Sequence, residues 1–162
     1  MKTNRLFMAF FSFFLFAQSY SLSSRECPDQ QFSSPQEGAI VLLNTPANGI
    51  YCFRVTASGE NVEEAILQGQ RQSVQACLFP NKNSGLKIKS ICAAETRDKH
   101  SAYFDYFLEG EGNYLNFVRI TPDGFPLEDE RRKTKDGYEV IIKVEVFYNN
   151  LRTEMQNEGI ID

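Results

Sequence analysis

Alternation of apolar and polar residues is the strongest pattern along the chain. In residues 137–148 apolar side chains alternate with charged ones, as in a strand with one buried face: Val140, Ile142, Val144 and Val146 against Glu139, Lys143 and Glu145. Residues 50–56 alternate in the same way, with Tyr51, Phe53 and Val55 on one face. A two-residue period of this kind predicts a β-strand.

Shorter segments give weaker signals of the same type. Strands are predicted for residues 38–43, 73–79, 86–92, 103–108 and 113–121, with turn-forming residues between several of them. Residues 61–73 fit either a helix capped by Asn61 or a strand, and the neighbouring strands favour the strand. Residues 93–101 and 122–136 are predicted as charged loops. No pattern continues beyond Asn149, so residues 149–162 are predicted to form a tail.

This order of elements predicts an all-β protein. About seven or eight short strands, spaced by roughly 8–12 residues, are typical of a sandwich. Each strand has one apolar face, so two antiparallel sheets are expected to cover each other. The expected fold is therefore an antiparallel β-sandwich of the jelly-roll type, formed by residues 22–148.

The N-terminal residues have the features of a signal peptide. Lys2 and Arg5 precede an apolar run over residues 6–17, and the small residues Ser19 and Ser21 follow it. Cleavage after Ser21 is favoured over Ser19, which gives a signal peptide of residues 1–21. The run is too short to span a bilayer. The alternative is a buried N-terminal helix. A secreted protein is the expectation, with no membrane span after residue 21.

Composition and charge narrow the function further. The chain has 162 residues, enough for one domain, and a formal net charge of −4. Loss of Lys2 and Arg5 with the signal peptide makes the remainder more acidic by two charges. This balance argues against a nucleic-acid partner, because such binding depends on Lys and Arg that neutralise phosphates.

Four cysteines follow the signal peptide: Cys27, Cys52, Cys77 and Cys92. An even number of cysteines in a secreted chain predicts two disulfides, and four cysteines allow three pairings. Zinc binding is disfavoured, because the chain has no C-x-x-C pair and a single histidine. No metal site and no cofactor are predicted.

Several motifs resemble those of the CUB domain, an extracellular β-sandwich module. A first Cys precedes a Gly-containing strand and a Pro-containing turn, and a second Cys opens a strand with an aromatic residue. The late motifs are a Gly-Asn pair, an apolar strand, an Asp and a Gly-aromatic strand. They fall at Cys27, Gly38, Pro46, Cys52-Phe53-Arg54-Val55, Gly112-Asn113, residues 115–120, Asp123 and Gly137-Tyr138-Glu139-Val140.

The resemblance implies a pairing of Cys27 with Cys52 and of Cys77 with Cys92. It also implies a non-catalytic module that binds proteins, peptides or glycans. Many members hold calcium through acidic loop residues, but Leu78-Phe79-Pro80-Asn81 stands where an acidic residue is usual. Phe53 also replaces the usual Trp. Calcium prefers six to eight oxygen ligands, so no calcium site is predicted here.

The candidate binding surface is aromatic. Both faces of a strand at residues 103–108 would be apolar, so one face could be exposed, and this makes Tyr103, Tyr106 and Phe107 candidate binding residues. His100 lies in a charged stretch with no evident nucleophile, so no catalytic residue is predicted. The sequence therefore favours a secreted, non-enzymatic module that binds an extracellular protein, peptide or glycan. The alternatives are a small secreted hydrolase or hydrolase inhibitor, or a structural coat protein.

Overall fold

The computed structural model describes residues 39–44, 48–80 and 86–162. These residues form one antiparallel sheet with α-helices packed against it, so the predicted all-β sandwich is wrong. The signal peptide and Cys27 lie outside the described residues. The elements in chain order are β1 (Ile40–Leu42), β2 (Ile50–Gly59), α1 (Val62–Leu78), α2 (Ala94–Lys99), α3 (Ser101–Leu108), β3 (Val118–Ile120), β4 (Arg131–Thr134), β5 (Gly137–Phe147) and α4 (Tyr148–Asn157).

Strands β2 and β5 form the centre of the sheet. They pair antiparallel from Ile50 opposite Phe147 to Gly59 opposite Tyr138. Strand β1 borders β2, and both β3 and β4 border the other side of β5. The two strongest strand predictions, at residues 50–56 and 137–148, are confirmed. Their apolar residues lie opposite one another on one face: Tyr51, Phe53, Val55 and Ala57 against Val146, Val144, Ile142 and Val140.

Helix α1 covers this apolar face, where a strand was favoured. Asn61 caps the helix by accepting a hydrogen bond from the Glu64 backbone N–H at 2.8 Å. The residues facing the sheet recur at helical spacing but are mostly small: Ala65, Gly69, Ser73, Val74 and Cys77. A Cβ atom on Gly69 would lie 2.6 Å from Ile142 Cδ1, which shows how closely helix and sheet approach. The strands predicted at 61–73 and 73–79 are therefore wrong.

Two further secondary-structure predictions are wrong because helices occupy the segments concerned. Helix α2 replaces the charged loop predicted at 93–101, and α3 replaces the strand predicted at 103–108. Phe104, Phe107 and Leu108 form one buried stripe of α3, because residues three and four apart share a helix face. The segment at 113–121 is strand only at β3, after a 3-10 turn at Asn113–Phe117. Residues 86–92 contain no strand.

The C-terminal residues belong to the folded body. Helix α4 follows β5 directly, and its Leu151 and Met155 are both fully buried in the same apolar core as β2 and β5. The loop predicted at 122–136 contains a second 3-10 turn at Glu128–Glu130 and the short strand β4. Regular secondary structure thus occupies much of the predicted tail at 149–162 and part of the predicted loop at 122–136.

The opposite face of the sheet carries charged residues. Glu145 and Glu139 of β5 are buried there, and each pairs with an arginine: Arg119 at 2.6 Å and Arg132 at 2.8 Å. A buried carboxylate is costly unless it is paired, and these partners satisfy it. Because this face is polar, a second sheet would not gain hydrophobic burial there. This is the physical reason that a sandwich does not form.

The predicted disulfide between Cys77 and Cys92 is also wrong. Both are free thiols buried in the core, where cysteine acts as a small apolar side chain. Burial raises the pKa of Cys77 to about 12 and that of Cys92 to about 11. Cys52 lies on the opposite face beside Leu43. No two cysteines of the described ranges are bonded to each other, and a two-disulfide sandwich is excluded.

Candidate functional site

A groove runs between helix α1 and the short helices α2 and α3. It consists of two cavities with volumes of about 350 and 270 Å³. Gln75 and Arg97 line both cavities, so the two are adjacent. We call the pair of cavities the α1–α3 groove. The larger volume lies within the size range of ligand pockets in proteins.

The geometry of α1 presents two polar side chains to the groove. Arg71 and Gln75 lie one helical turn apart and share a face. The face that carries Gly69 and Ser73 is pressed against the sheet. Because the small residues fix the helix against β2 and β5, Arg71 and Gln75 are held in place by a rigid element.

Arg71 is the unusual residue of the groove. It is half-buried, and its Nε atom is buried without a hydrogen-bond acceptor. The other two half-buried cations of the described residues are both paired: Arg54 with Glu130 at 3.3 Å, and Lys143 with Asp123 at 2.9 Å. Buried cations normally have a partner. Arg71 has no ion-pair partner among the residues that the structure describes.

Tyr114 forms the inner neighbour of Arg71. The Arg71 guanidinium carbon lies 5.9 Å from the centre of the Tyr114 ring, within reach of a cation–π interaction. The Tyr114 hydroxyl donates to the carbonyl of Gly110 at 3.0 Å. Burial raises the pKa of Tyr114, and a hydrogen bond with Arg71 together with its positive charge partly opposes this rise. The ring orients Arg71 but does not neutralise it.

Arg97 supplies a second guanidinium at the junction of the two cavities. Its central carbon lies 5.3 Å from the centre of the Phe79 ring, which positions the otherwise exposed side chain. No carboxylate within the described ranges forms an ion pair with it. The larger cavity therefore contains two guanidinium groups, those of Arg71 and Arg97, that form no ion pair with the residues the structure describes.

The opposite wall of the larger cavity carries acidic residues. Asp105 and Glu109 lie one turn apart on α3 and are exposed. Phe104 and Leu108 of the same helix provide an apolar floor. The cavity thus offers hydrogen-bond donors on one wall and acceptors on the other. Such an arrangement can bind a ligand that has both a carboxylate and N–H groups.

The three aromatic residues selected from the sequence have different environments on α3. Tyr106 is 69% exposed, whereas Phe107 is 1% exposed and belongs to the core. Tyr103 is half-buried and stacks on Phe107, with ring centres 5.6 Å apart. Burial, followed by the charges of Glu154 and Glu158, raises the pKa of Tyr103 to about 12. Only Tyr106 presents a largely exposed ring.

His100 lies at the junction of α2 and α3 and is half-buried. Within the part of the chain that the structure describes, no other side chain hydrogen-bonds or ion-pairs with its ring. The same residues contain no cluster of three or more His, Cys, Asp or Glu side chains suited to a metal ion.

The α1–α3 groove was not predicted from the sequence, because its residues are far apart in the chain. Arg71 and Arg97 appear in segments predicted as strand and loop, which would not place them together. A usable signal was present: Arg71 and Gln75 are spaced by four residues, on the polar side of the stripe formed by Ala65, Gly69 and Ser73.

Comparisons with known proteins assign no family to the chain. No family model matches it, and no curated protein or solved structure is significantly similar to it. None of the helices among the described residues is long and apolar enough to cross a membrane.

Proposed function

We propose that this protein is an exported, non-catalytic binding module. Its α1–α3 groove would recognise a peptide segment of an extracellular protein through a carboxylate on that segment. Export is inferred from the basic residues, apolar run and small residues within positions 1–21. The groove supplies the recognition chemistry.

The observation that carries this proposal is the unpaired state of Arg71. A half-buried guanidinium with a buried Nε atom and no anionic partner has lost hydration without gaining an ion pair. A ligand carboxylate would satisfy it with charge-assisted hydrogen bonds, and Arg97 would add a second contact. Guanidinium groups bind carboxylates in a planar, two-pronged geometry, so two of them favour an acidic side chain or a chain terminus.

The opposite wall favours a peptide over a simple anion. Asp105 and Glu109 would repel a small, fully anionic ligand but can accept hydrogen bonds from peptide N–H groups. The second cavity has Phe79 and Pro80 in its lining, beside Arg97 and Gln75, and so offers apolar as well as polar contacts. Two adjacent cavities suit two neighbouring side chains of one segment.

Selection from a random-peptide display library tests the binding role. The selected peptides should share acidic residues, and fluorescence anisotropy should detect binding at micromolar concentrations. Arg97→Glu should weaken the binding at least about tenfold, because it replaces an attraction with a repulsion. Arg152→Glu, an exposed change on α4, makes the same change in net charge and should have no effect. Equal binding by both variants, or no selected peptide, would contradict the proposal.

Export is tested separately. The full chain, expressed in a secreting cell, should appear in the medium with Leu22 as its N-terminal residue. A matched chain with two residues of the apolar run at 6–17 replaced by Asp should stay inside the cell. Retention of Met1 in the exported protein would contradict cleavage, and intracellular retention of the unaltered chain would contradict export.

A further inference from the structure

Strand β4 has one edge without a partner among the described strands, and its residues are mostly basic. Among the described strands it pairs only with β5. Arg131, Arg132 and Lys133 fill most of it, and all three are exposed. An unpaired strand edge can accept a further strand from another chain.

The hydrogen bonding of β5 shows which backbone groups of β4 point outward. Lys143 of β5 donates to Gly124 at 3.1 Å and accepts from Thr121 at 3.0 Å, on the side of β5 that β4 also occupies. Bonding direction alternates along a strand, so Glu139 and Gly137 also bond towards β4. Their partners Arg132 and Thr134 therefore face β5. The N–H and C=O groups of Lys133 and the C=O group of Arg131 therefore point away from the sheet, whereas the N–H of Arg131 already donates to the carbonyl of Glu128.

The same two residues carry available positive charge. Arg131 and Lys133 lie two apart, so their side chains emerge on one face of β4. Arg132 emerges on the other face, where Glu139 holds it at 2.8 Å. Arg131 uses Nε to donate to the carbonyl of Pro126 at 2.9 Å, and its side chain remains exposed. The open carbonyl of Arg131, both open backbone groups of Lys133 and the available charge of the two side chains thus coincide, in a chain whose net charge is −4.

Exposed apolar residues lie beside the start of β4. Phe125 is 59% exposed and Leu127 is 66% exposed, and they account for two of the three large apolar side chains that are exposed in the described ranges. Both flank Pro126, whose carbonyl Arg131 contacts. An exposed apolar group next to an open strand edge marks an interaction surface.

We propose that β4 docks an extended, acidic segment of a partner protein by strand addition. The segment would carry Asp or Glu at alternate positions, opposite Arg131 and Lys133, and an apolar residue that reaches Phe125 or Leu127. Charge complementarity identifies the occupant: a second copy of β4 would place basic side chains against each other, which destabilises a strand pair. This site is separate from the α1–α3 groove and does not depend on its function.

A synthetic peptide with alternating Glu and Thr and one terminal Leu, labelled with a fluorophore, tests the proposal against the full chain. Anisotropy should show saturable binding. In NMR spectra the amide of Lys133 should gain protection from solvent exchange, whereas those of Arg131, which already donates to Glu128, and of Arg132 and Thr134, which face β5, should change little. The double change Arg131→Glu and Lys133→Glu should weaken binding at least about tenfold, because two attractive cross-strand pairs become repulsive. The double variant should instead bind a peptide in which Lys replaces each Glu.

Matched variants separate this site from general electrostatics. The double change Lys99→Glu and Arg152→Glu alters net charge equally at exposed positions of α2 and α4 and should leave binding unchanged. Arg97→Glu, which tests the groove, should also have no effect. Equal losses in the two double variants would overturn the proposal, as would peptide-induced changes confined to the groove. Binding to anionic vesicles but not to the peptide, or a dimer that forms through β4, would overturn it as well.

Discussion

Replacement of Leu151 by Ala tests whether α4 is part of the core. Leu151 is fully buried and belongs to the same apolar cluster as Phe53 and Val144. Removing its isobutyl group eliminates contacts with that cluster and leaves a cavity. Leu to Ala changes at such positions cost about 2–5 kcal/mol of unfolding free energy. Met155, one turn further along α4, is equally buried and limits how far the helix can move to fill the space.

Thermal and urea denaturation followed by circular dichroism provide the measurement. For a chain of this size each kcal/mol shifts Tm by roughly 3–5 °C, so a cost of about 2–5 kcal/mol should lower the Tm of Leu151→Ala by about 6–25 °C. Arg152→Ala is the matched control, because it alters the adjacent, exposed position of the same helix. Its effect should stay within about 0.5 kcal/mol.

A Tm change for Leu151→Ala as small as that for Arg152→Ala would refute the reasoning. It would mean that residues 148–157 do not pack on the sheet and that the tail predicted from the sequence is the better description. A large change with an unaltered urea m-value would show that α4 unfolds together with the sheet as one cooperative unit.

Three further predictions follow from the core and the loops. Cys77 and Cys92 should not react with a thiol reagent at neutral pH until the protein unfolds, since burial holds their pKa values at about 12 and about 11. Because both pKa values are raised, the stability that these thiols contribute is complete below the unfolded-state pKa of about 8.5 and is lost as the pH rises towards about 11 and 12. Melting temperatures measured over a series of pH values would show this loss. Gly69→Val should destabilise the protein by roughly 1–3 kcal/mol in urea denaturation, because the added carbons meet Ile142; an unchanged midpoint would contradict the close packing. Burial acts to raise the pKa of Asp123, but hydrogen bonds from Lys143 and Thr121 and the Lys143 charge together lower it. The stability that this carboxylate contributes is present above the unfolded-state pKa of about 3.9. It is lost as the pH falls through the lower pKa of the folded state. Lys143→Gln should therefore raise the Asp123 pKa in an NMR titration.

The sequence predicted the strands whose side chains alternate cleanly. Strands β2 and β5 each place apolar residues on one face and several charged or polar residues on the other, so a two-residue period is visible. It could not show what covers the apolar face. A helix and a second sheet are both possible covers for such a surface.

Helices α1 and α3 were not predicted from the sequence, for two physical reasons. The buried stripe of α1 consists largely of Ala65, Gly69, Ser73 and Cys77, whose low hydrophobicity hides the helical period. In α3, Tyr103, Phe104, Phe107 and Leu108 are so closely spaced that they also fit a strand with two apolar faces. A strand of that kind requires cover on both sides, and this demand was itself a reason to prefer a helix.

The predicted disulfide between Cys77 and Cys92 was wrong, because both are buried thiols. An even number of cysteines in a chain with an export signal favours disulfides, but it does not distinguish bonded cysteines from buried thiols. The α1–α3 groove was not predictable for a different reason. Arg71 and Arg97 line the same cavity only because α1 and α2 flank it, and that arrangement depends on the complete fold.

The pairing of β2 with β5 determines when the protein can complete its fold. Gly59 lies in register with Tyr138, and all the intervening helices and strands are made between them during synthesis. Helix α1 can form early, but the face on which it packs is incomplete until β5 is available. Closing so long a loop is costly in entropy and slows folding. Until synthesis reaches Phe147, the nascent chain therefore carries β2 with one edge unpaired and α1 with its apolar face uncovered, and both features favour aggregation through that interval.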